Sequence, residues 1–260
     1  MSSFHRSIRA AATAAIAVAP LAMAGGPALA AATPLLQAPM HQTGSATPFF
    51  ISHGAGRNTT VTSDNWSGYA ATGSTYTSVS TTFTQPAVKC SSGDQYSSFW
   101  VGLDGYSSDS VEQTGTEADC DGRTAEYSAW YELYPAYPVT YSNTVKPGDV
   151  ITETVSFSGS ETYAMTIKDS TEGWTKTTTK NSRGDARSSA EVIAEAPYDG
   201  GVLPLSDFGT VNFSGSTVDG STLSSFNPTG IDMTADSNGA AEATVSALSG
   251  GSFSDTWNSQ

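Results

Sequence analysis

Histidine is confined to His5, His41 and His53, and no imidazole follows residue 53. A folded domain beginning near Asp64 therefore has no Ser-His-Asp triad, no Cys-His dyad and no histidine-ligated zinc. Cysteine is nearly as scarce, with only Cys90 and Cys120. Two thiols make a poor metal site, and in an exported chain they read as one disulfide rather than a reactive thiol. Acid is missing from the first 63 residues, since all 25 Asp and Glu lie at or after Asp64, whereas Arg6, Arg9 and Arg57 precede it. The domain then carries 8 of the 11 basic residues against 25 acidic ones, a net charge of about −17. Nucleic acid and anionic membranes are poor partners for such a surface. Mutual repulsion among the carboxylates fades as they protonate towards pH ~4, which suits an acidic medium. An acidic surface kept for solubility has the same composition.

Long apolar runs are absent after residue 30, so no membrane anchor is expected. The one apolar run, residues 10–24, follows the positive pair Arg6 and Arg9 and precedes Ala28-Leu29-Ala30, a small-x-small cleavage pattern. Residues 1–30 are thus expected to be a signal peptide and the product to be secreted. Residues 31–63 are low in charge, rich in Ala, Thr, Pro and Gly, and lack sustained periodicity. They read as a pro-segment, with Gln37 to Met40 and Phe49-Phe50-Ile51 as groove-filling pieces, or equally as a flexible leader.

Helical periodicity is lacking throughout residues 64–260. Segments such as Val150 to Phe157, Tyr163 to Lys168 and Val211 to Val218 alternate apolar and polar residues, and Thr72 to Phe83 is dense in Thr, Ser, Tyr and Val. Turn formers separate them, including Pro147-Gly148-Asp149, Ser158-Gly159-Ser160 and Asp199-Gly200-Gly201. Short strands at regular spacing predict one all-β domain, a two-sheet antiparallel β-sandwich. Phe253 and Trp257 anchor a Ser/Ala/Gly-rich tail that is expected to close one sandwich edge.

Three segments carry candidate chemistry. An apolar strand, Phe99-Trp100-Val101-Gly102-Leu103, runs into Asp104-Gly105 and is followed by Val111-Glu112-Gln113-Thr114-Gly115. In Ala129-Trp130-Tyr131-Glu132-Leu133-Tyr134-Pro135, period two places Trp130, Glu132 and Tyr134 on one face. That face is either the wall of a binding groove or a solvent-facing ladder. In the segment from Ser189 to Glu195, Glu191, Ile193 and Glu195 share a face, for which outward and solvated is the default.

Five blocks together resemble the glutamic peptidases (eqolisins): Asn65-Trp66-Ser67-Gly68, Trp100 to Gly105, Gln113-Thr114-Gly115, Trp130 to Pro135 and Ala190-Glu191-Val192-Ile193. Each is weak alone, but they follow the family's order and approximate spacing over nearly all of residues 64–260. The resemblance is to a bacterial member. It implies a lectin-like or glucanase-like sandwich with the cleft on a concave sheet, and a monomeric endopeptidase acting on polypeptides in acid without cofactor or metal. Gln113 and Glu191 fall on the catalytic positions, and Trp66, Trp100, Asp104, Trp130, Glu132 and Tyr134 on groove or supporting ones. Ser128 stands where some relatives have aspartate, and Glu112 replaces an apolar residue.

Such a pair can cut a peptide bond. Glu191 takes a proton from water and hands it to the departing nitrogen, while the Gln113 amide holds the water and stabilises the oxyanion. A glutamate near its ordinary pKa of ~4.3 would suit acid without large perturbation. The rival readings on the same sandwich are a glycosidase using Glu132 and Glu191, about 5–5.5 Å apart if retaining, and a sugar-binding lectin module.

Overall fold

The structure is a computed structural model that describes residues 51–53, 60–235 and 239–260. The signal-peptide expectation, Gln37 to Met40 and Phe49-Phe50 lie outside the described residues. In chain order the strands are β1 (Ile51–His53), β2 (Thr60–Ser63), β3 (Trp66–Thr72), β4 (Ser78–Thr84), β5 (Ser98–Leu103), β6 (Val111–Asp121), β7 (Thr124–Tyr134), β8 (Val139–Thr140) and β9 (Val150–Phe157). They continue with β10 (Thr162–Asp169), β11 (Trp174–Asn181), β12 (Ser189–Glu195), β13 (Thr210–Val218), β14 (Ser221–Thr222), β15 (Thr229–Thr234), β16 (Ala241–Val245) and β17 (Phe253–Trp257). The only helix among the described residues is one 3-10 turn, Leu223–Phe226.

Alternation decides which strands go where. One sheet runs β1-β2-β15-β3-β12-β5-β6-β7-β8, antiparallel except for β2 against β15. The other runs β11-β10-β9-β4-β13-β14. Strand β13 belongs to both: Thr210 to Phe213 pair with β17, and from Ser214 it pairs with β4, with a register shift between Ser214 and Thr217. The tail therefore does more than close an edge, because β16 and β17 carry the ladder from β15 to β13 and join the two sheets along one side.

Aromatic rings bind the sheets together. Phe83 touches Phe99 and Phe213 at 5.9 and 5.5 Å between centroids, Phe213 meets Phe253 at 4.9 Å, and Phe253 meets Tyr69 at 4.8 Å. Offset and edge-on contacts of this kind add to the area each ring removes from water. Cys90 and Cys120 are joined as a disulfide, with α-carbons 5.5 Å apart. It ties the 85–97 connection to the end of β6 and closes a 30-residue separation, worth about 3.5 kcal/mol in the loop-entropy picture.

The site-bearing sheet has two buried faces. Phe99, Val101, Leu103, Ala190, Val192 and Ala194 face the inter-sheet core, while Trp66, Ala70, Trp100, Val111, Trp130, Ile193 and Ile231 form a second apolar cluster on the opposite face. Tyr106 and Tyr134 pack against that second cluster.

Candidate active site

Register places the catalytic candidates. Across neighbouring antiparallel strands, directly opposed residues point to the same side. Glu191 on β12 is opposite Gly102 on β5, Gly102 is opposite Gln113 on β6, and Gln113 is opposite Glu132 on β7. On its other flank Glu191 is opposite Ala70 on β3. One row across the sheet therefore reads Ala70, Glu191, Gly102, Gln113, Glu132. Gln113 and Glu191 are two strand spacings apart, about 9.6 Å of backbone, with only a glycine between them.

The next row holds Ile193, Trp100, Gly115 and Trp130, and the row beyond it holds Trp66, Glu195, Ser98, Glu117 and Ser128. Two lines of acids thus flank a line of indoles. Gly115 is required there: a methyl on it would lie 2.6 Å from the Trp100 Cβ and 2.8 Å from the Trp130 ring. Trp66 meets Trp100 edge-on, with centroids 5.0 Å apart and planes at 77°.

Each of these side chains has a distinct environment. The Gln113 amide donates through Nε2 to Glu132 Oε2 at 2.5 Å, leaving Gln113 Oε1 and Glu132 Oε1 buried and without partners. Trp130 Nε1 is also buried and unpaired. Both oxygens of Glu191 lack a hydrogen bond of good geometry, with the Ser189 hydroxyl and the Tyr106 amide the nearest groups that would favour its ionised form. Buried polar atoms without partners also occur elsewhere in the molecule, at Glu153 and Asp255 among others, so what marks this face is that an amide oxygen and two carboxyls of this kind share one row. Burial drives the Glu191 carboxyl well above the usual carboxylate range, with Asp104 and Glu112 adding repulsion. Glu132 is pushed up to about 8, again chiefly by burial, although the Gln113 bond opposes it. The ordinary pKa expected for Glu191 is thus not what the fold provides, because burial outweighs the Ser189 hydroxyl and the Tyr106 amide and no cation is among the groups acting on it.

The remaining candidates divide. Trp66, Trp100, Trp130 and Glu132 are fully buried on the site face, and Tyr134 packs at its rim. Asp104 has a different task. At φ 70° it ends β5, and its carboxylate accepts from the backbone amides of Arg187 and Ser188 at 2.5 and 2.8 Å and from the Ser188 hydroxyl at 3.0 Å. It therefore pins the 182–188 loop that leads into β12, and so supports Glu191 rather than lining a groove. Ser128 donates to Glu117 Oε2 at 2.8 Å, a hydroxyl-to-carboxylate bond within the row that also holds Glu195. Glu112 faces the inter-sheet core, where Ser182 donates to it at 3.1 Å, and burial with the nearby Asp185 pushes it to about 9.

Two residues of the site face escaped sequence reasoning. Glu195 is fully buried and bonded to Asn65 and Trp100. Tyr106 packs on the cluster, where burial chiefly, and the Glu191 charge to a lesser degree, raise its phenol. The alternation of Glu191, Ile193 and Glu195 was a usable signal for the first; nothing in the 105–110 loop marked the second.

A β-sandwich that sets carboxyls and a neutral amide in one buried row among indoles holds the groups that acid–base hydrolysis uses. The pattern of the Peptidase A4 family matches residues 64–257. Aspergillopepsin-2 from Aspergillus niger is 31% identical over 211 residues, covering 71% of this chain and 75% of that protein. Among solved structures, scytalido-glutamic peptidase with a transition-state analogue inhibitor superposes with a TM-score of 0.67 at 26% identity, over 75% of this chain and 98% of that one. SCP-B, an eqolisin in complex with the tripeptide Ala-Ile-His, gives 0.63 at 25% identity with the same coverage. The chain belongs to the Peptidase A4 family, the glutamic peptidases, and is an endopeptidase.

Proposed function

We propose that this peptidase is secreted, works in acid as a monomer on polypeptides, and cuts with Gln113 and Glu191. The observation that carries the assignment is the row in which Gly102, with the edge of the Trp100 ring over it, separates an unpaired amide oxygen from the Glu191 carboxyl. A water in that gap would be held by Gln113 Oε1. The second hydrogen of the Gln113 amide, the first being given to Glu132, is free for the developing oxyanion. Glu191 takes the water's proton and returns it to the leaving nitrogen. Entry of water and substrate supplies the donors that the enclosed carboxyl lacks, and brings its pKa down towards the working pH. The glycosidase reading with Glu132 and Glu191 as a close retaining pair is disfavoured, because three strand spacings, about 14 Å of backbone, and Gln113 lie between them.

In purified protein, Gln113→Ala and Glu191→Gln are expected to abolish casein cleavage at pH ~4, a loss of at least about 10³-fold, with unchanged circular dichroism. Wild-type activity in folded Glu191→Gln would end the proposal.

Gln113, Glu132 and Glu191 have no accessible surface in this structure, so no polypeptide reaches them as the chain stands. We read this as the state of a precursor, with residues 1–30 the signal peptide, 31–63 the pro-segment and 64–260 the peptidase domain. Strands β1 and β2 both fall within that pro-segment and pair with each other, and β2 pairs with β15, which ties the segment to the sheet that bears the site. The expected outcome is that protein starting at residue 31 is inactive when fresh. It should gain casein-cleaving activity in step with loss of the segment on acidification, followed by mass spectrometry. Equal activity before and after processing would refute the precursor assignment.

A further inference from the structure

Glu195 lies four residues beyond Glu191 on the same face of β12, fully buried, and takes part in no step assigned so far. Its two oxygens are both engaged by neutral donors: Asn65 Nδ2 at 3.0 Å on Oε1 and Trp100 Nε1 at 2.7 Å on Oε2. A carboxylate offers charged acceptors on both oxygens, and Trp66 donates to it as well; a glutamine would keep one neutral acceptor oxygen for two indole N–H groups and would hold the Trp100 ring more weakly even where Asn65 turns its amide round. The ring it holds reaches the gap between the catalytic candidates. The far edge of the Trp100 indole, Cζ3 and Cε3, lies 2.8 and 3.3 Å from where a Cβ on Gly102 would be, and Gly102 is the residue between Gln113 and Glu191. The indole thus runs from the Glu195 carboxylate at its N–H end to the floor of that gap at its benzenoid end. Trp66, edge-on to it at 5.0 Å, closes one side.

We propose that Glu195 is a positioning residue for peptide cleavage: by holding the Trp100 indole and Asn65 it fixes the surface that sets the separation of Gln113 and Glu191. The inference rests on the dyad reading above. A ring free to swing would invade or widen the gap, and misplacement by about an ångström costs on the order of 10²-fold in rate while leaving the rest of the groove to bind peptide. The effect therefore belongs in kcat.

Three forms of the processed enzyme test this on one peptide substrate at pH ~4: wild type, Glu195→Gln, and a protein with 3-benzothienylalanine at position 100, which keeps the bicyclic ring and removes only its N–H. Both altered proteins are expected to lose about 10–100-fold in kcat with KM within about twofold. The two changes combined should cost no more than the larger alone, because they cut the same bond. Glu153→Gln, which alters another fully buried carboxyl on the far sheet, should leave kcat unchanged. Should Glu195→Gln fail to fold, the benzothienyl protein alone decides. Wild-type kcat in a folded Glu195→Gln or benzothienyl enzyme, or a loss carried by KM, would overturn the positioning role while leaving the dyad standing. A wild-type enzyme that cut no peptide would overturn both.

Discussion

Gly102 occupies a position where side-chain size, not backbone conformation, decides function. It sits between the two candidate catalytic residues in the strand register. A methyl there would meet Trp100 Cζ3 at 2.8 Å and the Val111 side chain at 3.0 Å, both within the fully buried cluster. Neither neighbour is a flexible chain end, so ring and strand must shift together. Overpacking of this kind costs about 1–3 kcal/mol. Gly102→Ala is therefore expected to destabilise the fold by that amount in urea titration and, because the displaced ring enters the gap, to lower kcat/KM by on the order of 10²-fold. Stability loss with full kcat/KM would show that the gap is not where the reaction occurs. The same logic explains why Glu191 has neighbours no larger than Ala70 and Gly102 in its row.

Strands were easier to read from the sequence than their faces. Val150 to Phe157 and Val211 to Val218 fall within β9 and β13, and Tyr163 to Lys168 within β10, because alternation against a single core leaves a period of two. The dense stretch from Thr72 to Phe83 instead divides, with β3 ending at Thr72 and β4 starting at Ser78 around the turn at Gly73. Trp130, Glu132 and Tyr134 do share a face, and alternation likewise sorted Glu191, Ile193 and Glu195 correctly. What period two cannot tell is whether the face opposite the core is wet. Here its acids lie among an aromatic cluster whose indoles themselves have no accessible surface, so the default of a solvated Glu191 and Glu195 fails. Asp104 shows a different limit. Its place after an apolar strand and beside Gly105 was visible, but its amide partners at Arg187 and Ser188 lie more than 80 residues away, and no local pattern encodes such a contact. The row that unites Gln113 and Glu191 needed β12 to insert between β3 and β5, a non-sequential pairing legible only through resemblance.

Among the described residues acids are buried and bases are not. The ion pairs found among the described residues, Lys89–Asp207, Lys146–Glu172 and Arg183–Glu161, are at least partly exposed and none involves a site carboxyl. Burial therefore raises Glu112 to about 9, Glu132 to about 8 and Asp255 to about 7, and lifts Glu153, Glu191 and Glu195 in the same direction. Unfolding returns each to about 4, so between pH ~4 and ~9 the folded state binds more protons than the unfolded one. Stability contributed by these groups is fully present below the unfolded pKa and is lost as pH rises through the folded values. Each net proton released on unfolding costs about 1.4 kcal/mol of stability per pH unit, and each kcal/mol shifts the melting temperature of a domain this size by about 2–4 °C. Melting temperature is thus expected to peak near pH 4 and to fall steeply from pH 5 to 8 in scanning calorimetry. Glu112→Gln removes one of these ionisations from the inter-sheet core. It should leave the melting temperature at pH 4 within about 2 °C of wild type and raise it at pH 8, flattening the slope between. A melting temperature that held or rose from pH 4 to 8 would mean that the buried carboxyls stay charged in the folded protein. Acid operation would then owe nothing to the way this sandwich encloses them.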